Sequence, residues 1–124
     1  MRILKLAMLF LVAGSGMAFG QQKQKAIETA KISTPTVQCE MCKKRIERYM
    51  LQEEGVQSVK VDYKKHITTV KYYTDRTNIE NVKTGIANVG YDADNVTANT
   101  ESYAKLPTCC KKPEDGGGMG KNQH

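Results

Sequence analysis

The chain has 124 residues, with 19 lysines and arginines against 13 acidic residues, a formal net charge of +6, four cysteines and no tryptophan. That length suits one small domain with tails and excludes a large enzyme. The basic residues are spread along the chain, which points to solvated faces and away from nucleic acid as a partner.

Residues 1–20 open with Met1-Arg2-Ile3-Leu4-Lys5, run through an apolar stretch from Leu6 to Val12 and close on Ala18-Phe19-Gly20. A basic start, a short apolar middle and small residues ahead of Gln21 form the pattern of a secretory signal peptide cut before Gln21. The apolar stretch is too short for a membrane span, so the expected mature protein is periplasmic or secreted, without stable membrane insertion. Loss of Arg2 and Lys5 with the leader leaves 17 basic and 13 acidic residues, a net of +4. Export also puts the thiols where disulfides are permitted, and four cysteines allow three full pairings.

Residues 21–30 are polar and lack a sustained period, and are expected to form a linker. The domain is expected over residues 31–98. An extended, β-branched run from Lys31 to Val37 predicts the first strand, with Pro35 marking a bend. Cys39-Glu40-Met41-Cys42 follows at once, where a helical pattern begins. The first turn of a helix carries unpaired backbone N–H groups and the positive end of the macrodipole, and Lys43, Lys44 and Arg45 add charge beside it. Both thiols are therefore expected to be more acidic than a free cysteine. The two-residue spacer lets both sulfurs face a common point, as a soft metal or a short disulfide loop requires. Spacing leaves three readings open: a metal site, a redox dithiol and a structural disulfide.

Cys42, Ile46, Tyr49 and Met50 fall at helical spacing and predict a buried stripe, ended by Gly55. Val56, Val59 and Val61 lead into a second strand, Tyr63 to His66 form a polar turn, and Ile67 to Tyr73 complete a hairpin. Thr77-Asn78-Ile79-Glu80 has the form of a capping box, after which Ile79, Val82, Ile86 and Val89 predict a second helix up to Gly90. Tyr91 to Ala98 is expected to be a last strand with Ala93 and Val96 inside. The order βαββαβ within residues 31–98 defines an α+β, ferredoxin-like antiparallel sheet with both helices on one face.

Residues 99–124 form a tail carrying Cys109-Cys110, with disorder expected from 113 to 124. Adjacent cysteines cannot form a relaxed disulfide with each other. Eleven steps from Ala98 to Cys109 reach about 36 Å when extended, longer than a strand of about 20 Å, so the tail can return to the first pair. Three outcomes are open for it: a shared site of three or four sulfurs, an independent site, and disulfide pairing. His66 is expected to be exposed, and Met119 and His124 are weak soft-ligand candidates.

The element order resembles the heavy-metal-associated domain family, which includes copper chaperones, modules of metal-pumping ATPases and small periplasmic mercury-binding proteins. The likeness rests on Cys39 and Cys42 after the first strand, on Gly55-Val56 with Val59, and on Val89-Gly90-Tyr91-Asp92-Ala93. It implies that Cys39 and Cys42 are metal ligands and Tyr91 a loop aromatic beside the metal. Met41 and Lys43 are the other loop candidates, and Cys109 and Cys110 are auxiliary ones. The chain departs from the family's Gly-Met-x-Cys, carrying Thr36-Val37-Gln38-Cys39 and placing its methionine at Met41. The resemblance implies a monomeric, non-enzymatic carrier of a soft ion, Cu(I) first and Hg(II) or Zn(II) next. Its expected partner is a metal transporter or metal-ATPase domain. A periplasmic thiol-disulfide oxidoreductase is the competing function.

Overall fold

The computed structural model describes residues 26–117. The expected signal peptide, the first part of the linker, Met119 and His124 lie outside the described residues. Three strands, β1 (Ile27–Ser33), β2 (Val56–Asp62) and β3 (Ile67–Tyr73), form one antiparallel sheet in the order β1-β3-β2. Two eleven-residue helices, α1 (Glu40–Met50) and α2 (Ile79–Val89), lie against it, and a short α3 (Thr100–Ala104) follows.

The registers follow from side-chain alternation. β1 pairs with β3 from Ile27↔Tyr73 to Ser33↔Ile67, and β2 with β3 from Val56↔Tyr72 to Asp62↔Ile67, with a bulge between Val56 and Ser58. Ile32, Val61, Val70 and Tyr72 then share the face that meets Cys42, Ile46 and Met50 of α1 and Val82 and Ile86 of α2. A register slip of one residue would turn this apolar set out to solvent, so the pattern fixes the pairing. Thr34 and Thr68 are the buried polar side chains of the core, and their hydroxyls bond each other at 3.0 Å. Gly85 lets the helices approach: a Cβ there would come within 2.9 Å of Met50 Sδ.

Several boundaries move from the sequence expectation. β1 starts at Ile27, inside the expected linker, because Glu28 and Ala30 find partners in Tyr72 and Val70. It stops at Ser33, where a turn at Pro35 and Thr36 intervenes. The cap of α2 is Asn78 instead of Thr77, its side chain accepting the Asn81 N–H at 2.8 Å. Thr77 packs over Gly55, where a Cβ would come within 2.7 Å of its methyl, and Gly55 takes a φ of +85°. Tyr49, expected in the core, is 40% exposed, since the inward face of α1 is taken by Cys42, Ile46 and Met50 at spacing four.

The largest difference is the last strand. Residues 91–98 make an isolated bridge, Ala93↔Val96, and no strand. Asp94 adopts a φ of +51°, and the Ala93 and Val96 N–H groups each donate to the other's carbonyl at 2.9 and 2.8 Å. Asp92, Asp94 and Asn95 are turn formers, and the Asp92 carboxylate accepts the Ala98 N–H at 2.9 Å. Only Ser33 of β1 is tied to this segment: its N–H donates to Asp94 Oδ1 at 2.7 Å and its carbonyl accepts the Asp94 N–H at 2.8 Å. The ferredoxin-like plan therefore holds through α2, with a turn where the fourth strand would run. Instead the Asn99 N–H bonds the Ala87 carbonyl at 2.9 Å, so the tail begins beside the last turn of α2.

Candidate metal centre

The loop after β1 is fastened before the first cysteine arrives. Val37 is fully buried and takes the core position beneath the loop. Its carbonyl lies 3.0 Å from His66 Nδ1, so the exposed His66 ring acts as a loop clasp. On the other side, the Asp92 N–H donates to the Thr36 hydroxyl at 3.3 Å. Cys39 is the N-cap residue of α1, extended at φ −153°, and its carbonyl accepts the Lys43 N–H at 3.0 Å. Cys42 stands three residues on, so both sulfurs sit within one helical turn. Their Sγ atoms are 3.2 Å apart.

The second pair comes to the same place. Cys109 and Cys110 lie in a 3₁₀ turn (Thr108–Cys110), where the Cys110 N–H donates to the Pro107 carbonyl at 2.8 Å. Cys110 Sγ is 2.7 Å from Cys42 Sγ, and Cys109 Sγ is 3.8 Å from Cys39 Sγ. All four are free cysteines. The sulfurs of Cys39, Cys42 and Cys110 lie within 4.8 Å of one another and are buried. Cys109 is half-buried, with its sulfur 3.6 Å from Met41 Sδ, and Met41 is exposed.

Tyr91 is buried beneath the cluster, against Cys42 and Cys110, and its hydroxyl has no hydrogen-bond partner among the described residues. Burial and the neighbouring sulfurs push its phenol well above the ordinary range. Lys43 enters through its backbone N–H.

The electrostatics split the first pair, where the sequence predicted two acidic thiols. The Cys110 thiol donates to Cys42, and this overcomes burial to bring Cys42 down to about 5. Cys110, held in its protonated form by that bond, is pushed up. Burial drives Cys39 up to about 11. One thiolate is stabilised in a confined space, and its closest donor is a residue of the tail, ahead of the helix terminus.

The tail anchors are what sequence reasoning missed. Leu106 is 4% exposed and covers Gly90, and the Gln38 amide donates to the Lys111 carbonyl at 2.6 Å. The Lys112 N–H donates to the Tyr103 hydroxyl at 2.8 Å, and that hydroxyl donates to Asp115. A second 3₁₀ turn, Pro113–Asp115, occupies residues expected to be disordered. The signal in the sequence was a capping Asn99 three residues before Ser102, then one apolar Leu106 ahead of Pro107 in an otherwise polar stretch.

A small α+β fold with buried, unpaired thiols at a strand-to-helix junction defines a soft-metal-binding domain. The profile described as Heavy-metal-associated domain matches residues 31–92. This chain belongs to that family. A copper-exporting P-type ATPase from Staphylococcus epidermidis is 34% identical over 74 residues, which is 60% of this chain and 9% of that protein. The chain thus spans under a tenth of the length of such curated relatives. Among solved structures, oxidized MerP from Ralstonia metallidurans CH34 superposes with a TM-score of 0.53 at 23% identity, over 56% of this chain and 96% of that one. The CopZ metallochaperone gives 0.51 at 23% identity, over 53% and 98%. These two likenesses bear on the fold.

Proposed function

We propose that this protein is an exported carrier that captures one soft heavy-metal ion between Cys39 and Cys42 and delivers or sequesters it. The observation that carries the reading is the pair of sulfurs 3.2 Å apart in the first turn of α1, in a chain of the heavy-metal-associated family. Polarisable thiolates select soft ions, and a two-sulfur site suits Cu(I) first, with Hg(II) and Zn(II) after it. The Cys42 thiolate is ready to bind, and Cys39 gives up its proton as the ion arrives. The likeness to a segment of a copper-exporting ATPase supports a transporter domain as the exchange partner. The exposed Lys44, Arg45 and Arg48 on α1 supply a basic face for it. The carrier is monomeric, performs binding and transfer without catalysis, and works in the periplasm or outside the cell, as residues 1–20 indicate.

Native mass spectrometry of the reduced chain under anaerobic titration with Cu(I), Hg(II) and Zn(II) tests this. One ion per chain is expected, with no uptake in the Cys39→Ser, Cys42→Ser variant. Uptake that survives both substitutions overturns the proposal. One observation favours a second reading, a thiol-disulfide oxidoreductase: the 2.7 Å approach of the free Cys42 and Cys110 sulfurs. Disulfide-exchange turnover without metal uptake by the reduced chain would select it.

A further inference from the structure

The tail is held over Cys39 and Cys42 by contacts that owe nothing to its own sulfurs. Leu106 over Gly90 and Asn99 on Ala87 fasten it before Cys110. Gln38 on Lys111, and Tyr103 on Lys112, fasten it after. Cys110 is fully buried between these anchors. It is a fixed part of the site wall.

We propose that Cys110 is the third ligand of a three-thiolate centre shared with Cys39 and Cys42, and that this centre takes a thiophilic d10 cation in trigonal coordination. The proposal rests on the metal-binding reading of Cys39 and Cys42, which it extends from two sulfurs to three.

The spacing brings a third sulfur within ligand range of the first pair. With metal–sulfur bonds of about 2.3 Å, paired sulfurs lie about 4.6 Å apart in a linear site, about 4.0 Å in a trigonal one and about 3.8 Å in a tetrahedral one. Cys39 and Cys42 are 3.2 Å apart and Cys42 and Cys110 2.7 Å, with all three sulfurs inside 4.8 Å. A linear site would have to force the first two sulfurs apart by more than an ångström while Cys110 stayed wedged against one of them. A trigonal ion opens the Cys39–Cys42 pair by about 0.8 Å and the Cys42–Cys110 pair by about 1.3 Å, and it engages a buried sulfur that a linear site would leave unbound. Tyr91 is fully buried against the same two sulfurs, and its hydroxyl makes no hydrogen bond of ordinary geometry among the described residues. A donor left unmatched there is suited to sulfurs that carry negative charge around a bound cation.

Cys109 stands outside the triangle, half-buried beside the exposed Met41. Its sulfur is 3.8 Å from Cys39 Sγ and 4.0 Å from Cys110 Sγ, so the count in Cys109→Ser separates three-coordination from four. Release then differs from that of an open two-sulfur loop. An incoming partner thiolate forms a bond to the ion as the Cys110–metal bond breaks, and Cys110 leaves as a thiolate that takes a proton from water. No electron changes hands. The tail therefore slows release, and the chain holds its ion until a thiol competes for it.

X-ray absorption on the reduced full chain, loaded anaerobically with one equivalent of Cu(I), counts the sulfurs directly. The expected count is three in wild type, three in Cys109→Ser and two in Cys110→Ser. Losing the tethered third ligand should speed removal by a thiol competitor such as glutathione by on the order of 10²-fold. Circular dichroism shows whether Cys110→Ser keeps the fold, and Leu106→Ala, which frees the tail but keeps Cys110, should also speed removal. Two sulfurs in wild type, four falling to three in Cys109→Ser, or an unchanged count in Cys110→Ser each overturns the proposal. Two-sulfur Cu(I) binding in wild type would sink the third ligand alone, whereas no Cu(I) uptake would sink the metal-binding reading with it.

Discussion

Two cysteine pairs meet in this molecule and are held by different means. Cys39 and Cys42 belong to regular structure: an N-cap and the third helical residue of α1, over a sheet whose register fixes where that helix starts. Cys109 and Cys110 sit on a three-residue turn placed by a few side-chain contacts. Backbone periodicity therefore sets the spacing of the first pair, and packing sets the position of the second. The first pair should keep its geometry when the second is removed, while the second has no position without the first domain beneath it.

The harshest way to break this comparison is to delete residues 106–124. The sheet and both long helices should persist by far-ultraviolet circular dichroism, while alkylation of Cys39 and Cys42 accelerates by on the order of 10²-fold or more as their cover is lost. Unfolding of the truncated chain would show that the tail is core and that the two regions are not separable. A gentler cut is Leu106→Ala. Emptying a buried leucine site costs about 2–5 kcal/mol, here charged mainly to the docking of the tail. Urea-dependent alkylation should show Cys110, and with it Cys39 and Cys42 as their cover lifts, becoming reactive well before the sheet unfolds.

The pH response sharpens the electrostatic half of the comparison. Cys42 sits below its unfolded value of 9.0, at about 5, so its stabilising contribution is complete above pH 9 and is lost as pH falls through about 5. Cys39 is raised to about 11, so its contribution is present below pH 9 and is lost as pH rises through about 11. Thiolate absorbance of the reduced chain should show one thiolate forming near pH 5. Because the Cys110 thiol is the main cause of that low value, Cys110→Ala should move this step upward. An unmoved step would return the credit to the helix terminus. The smallest effect is expected from Asn78→Ala, which removes the α2 cap far from the sulfurs. It should cost about 1 kcal/mol in urea unfolding and leave metal uptake unchanged.

How much of this was legible in the sequence follows the same division. The hairpin from Val56 to Tyr73 and the helix up to Gly90, which ends it at φ +116°, follow alternation and helical spacing closely. The placement of Cys39 and Cys42 at a strand-to-helix junction was equally plain. The fourth strand failed because Ala93 and Val96 are three apart, a turn spacing, with Asp94 and Asn95 between them. That one difference hid the rest, since a chain that turns at Asp94 continues along α2, where the Asn99 N–H bonds the Ala87 carbonyl. Convergence of the tail on the site was open from reach alone, but the anchors are long-range contacts of single side chains, which no local period encodes. Likewise, the donor that makes Cys42 acidic lies 68 residues away.

The most direct test of one centre built from both regions is a residue-resolved nuclear magnetic resonance titration of the reduced, isotope-labelled chain with Cu(I). Saturation at one equivalent should shift residues 37–43, Tyr91 and residues 106–112 together, in a single binding event. Shifts confined to residues 37–43, with the tail signals unmoved, would contradict the account.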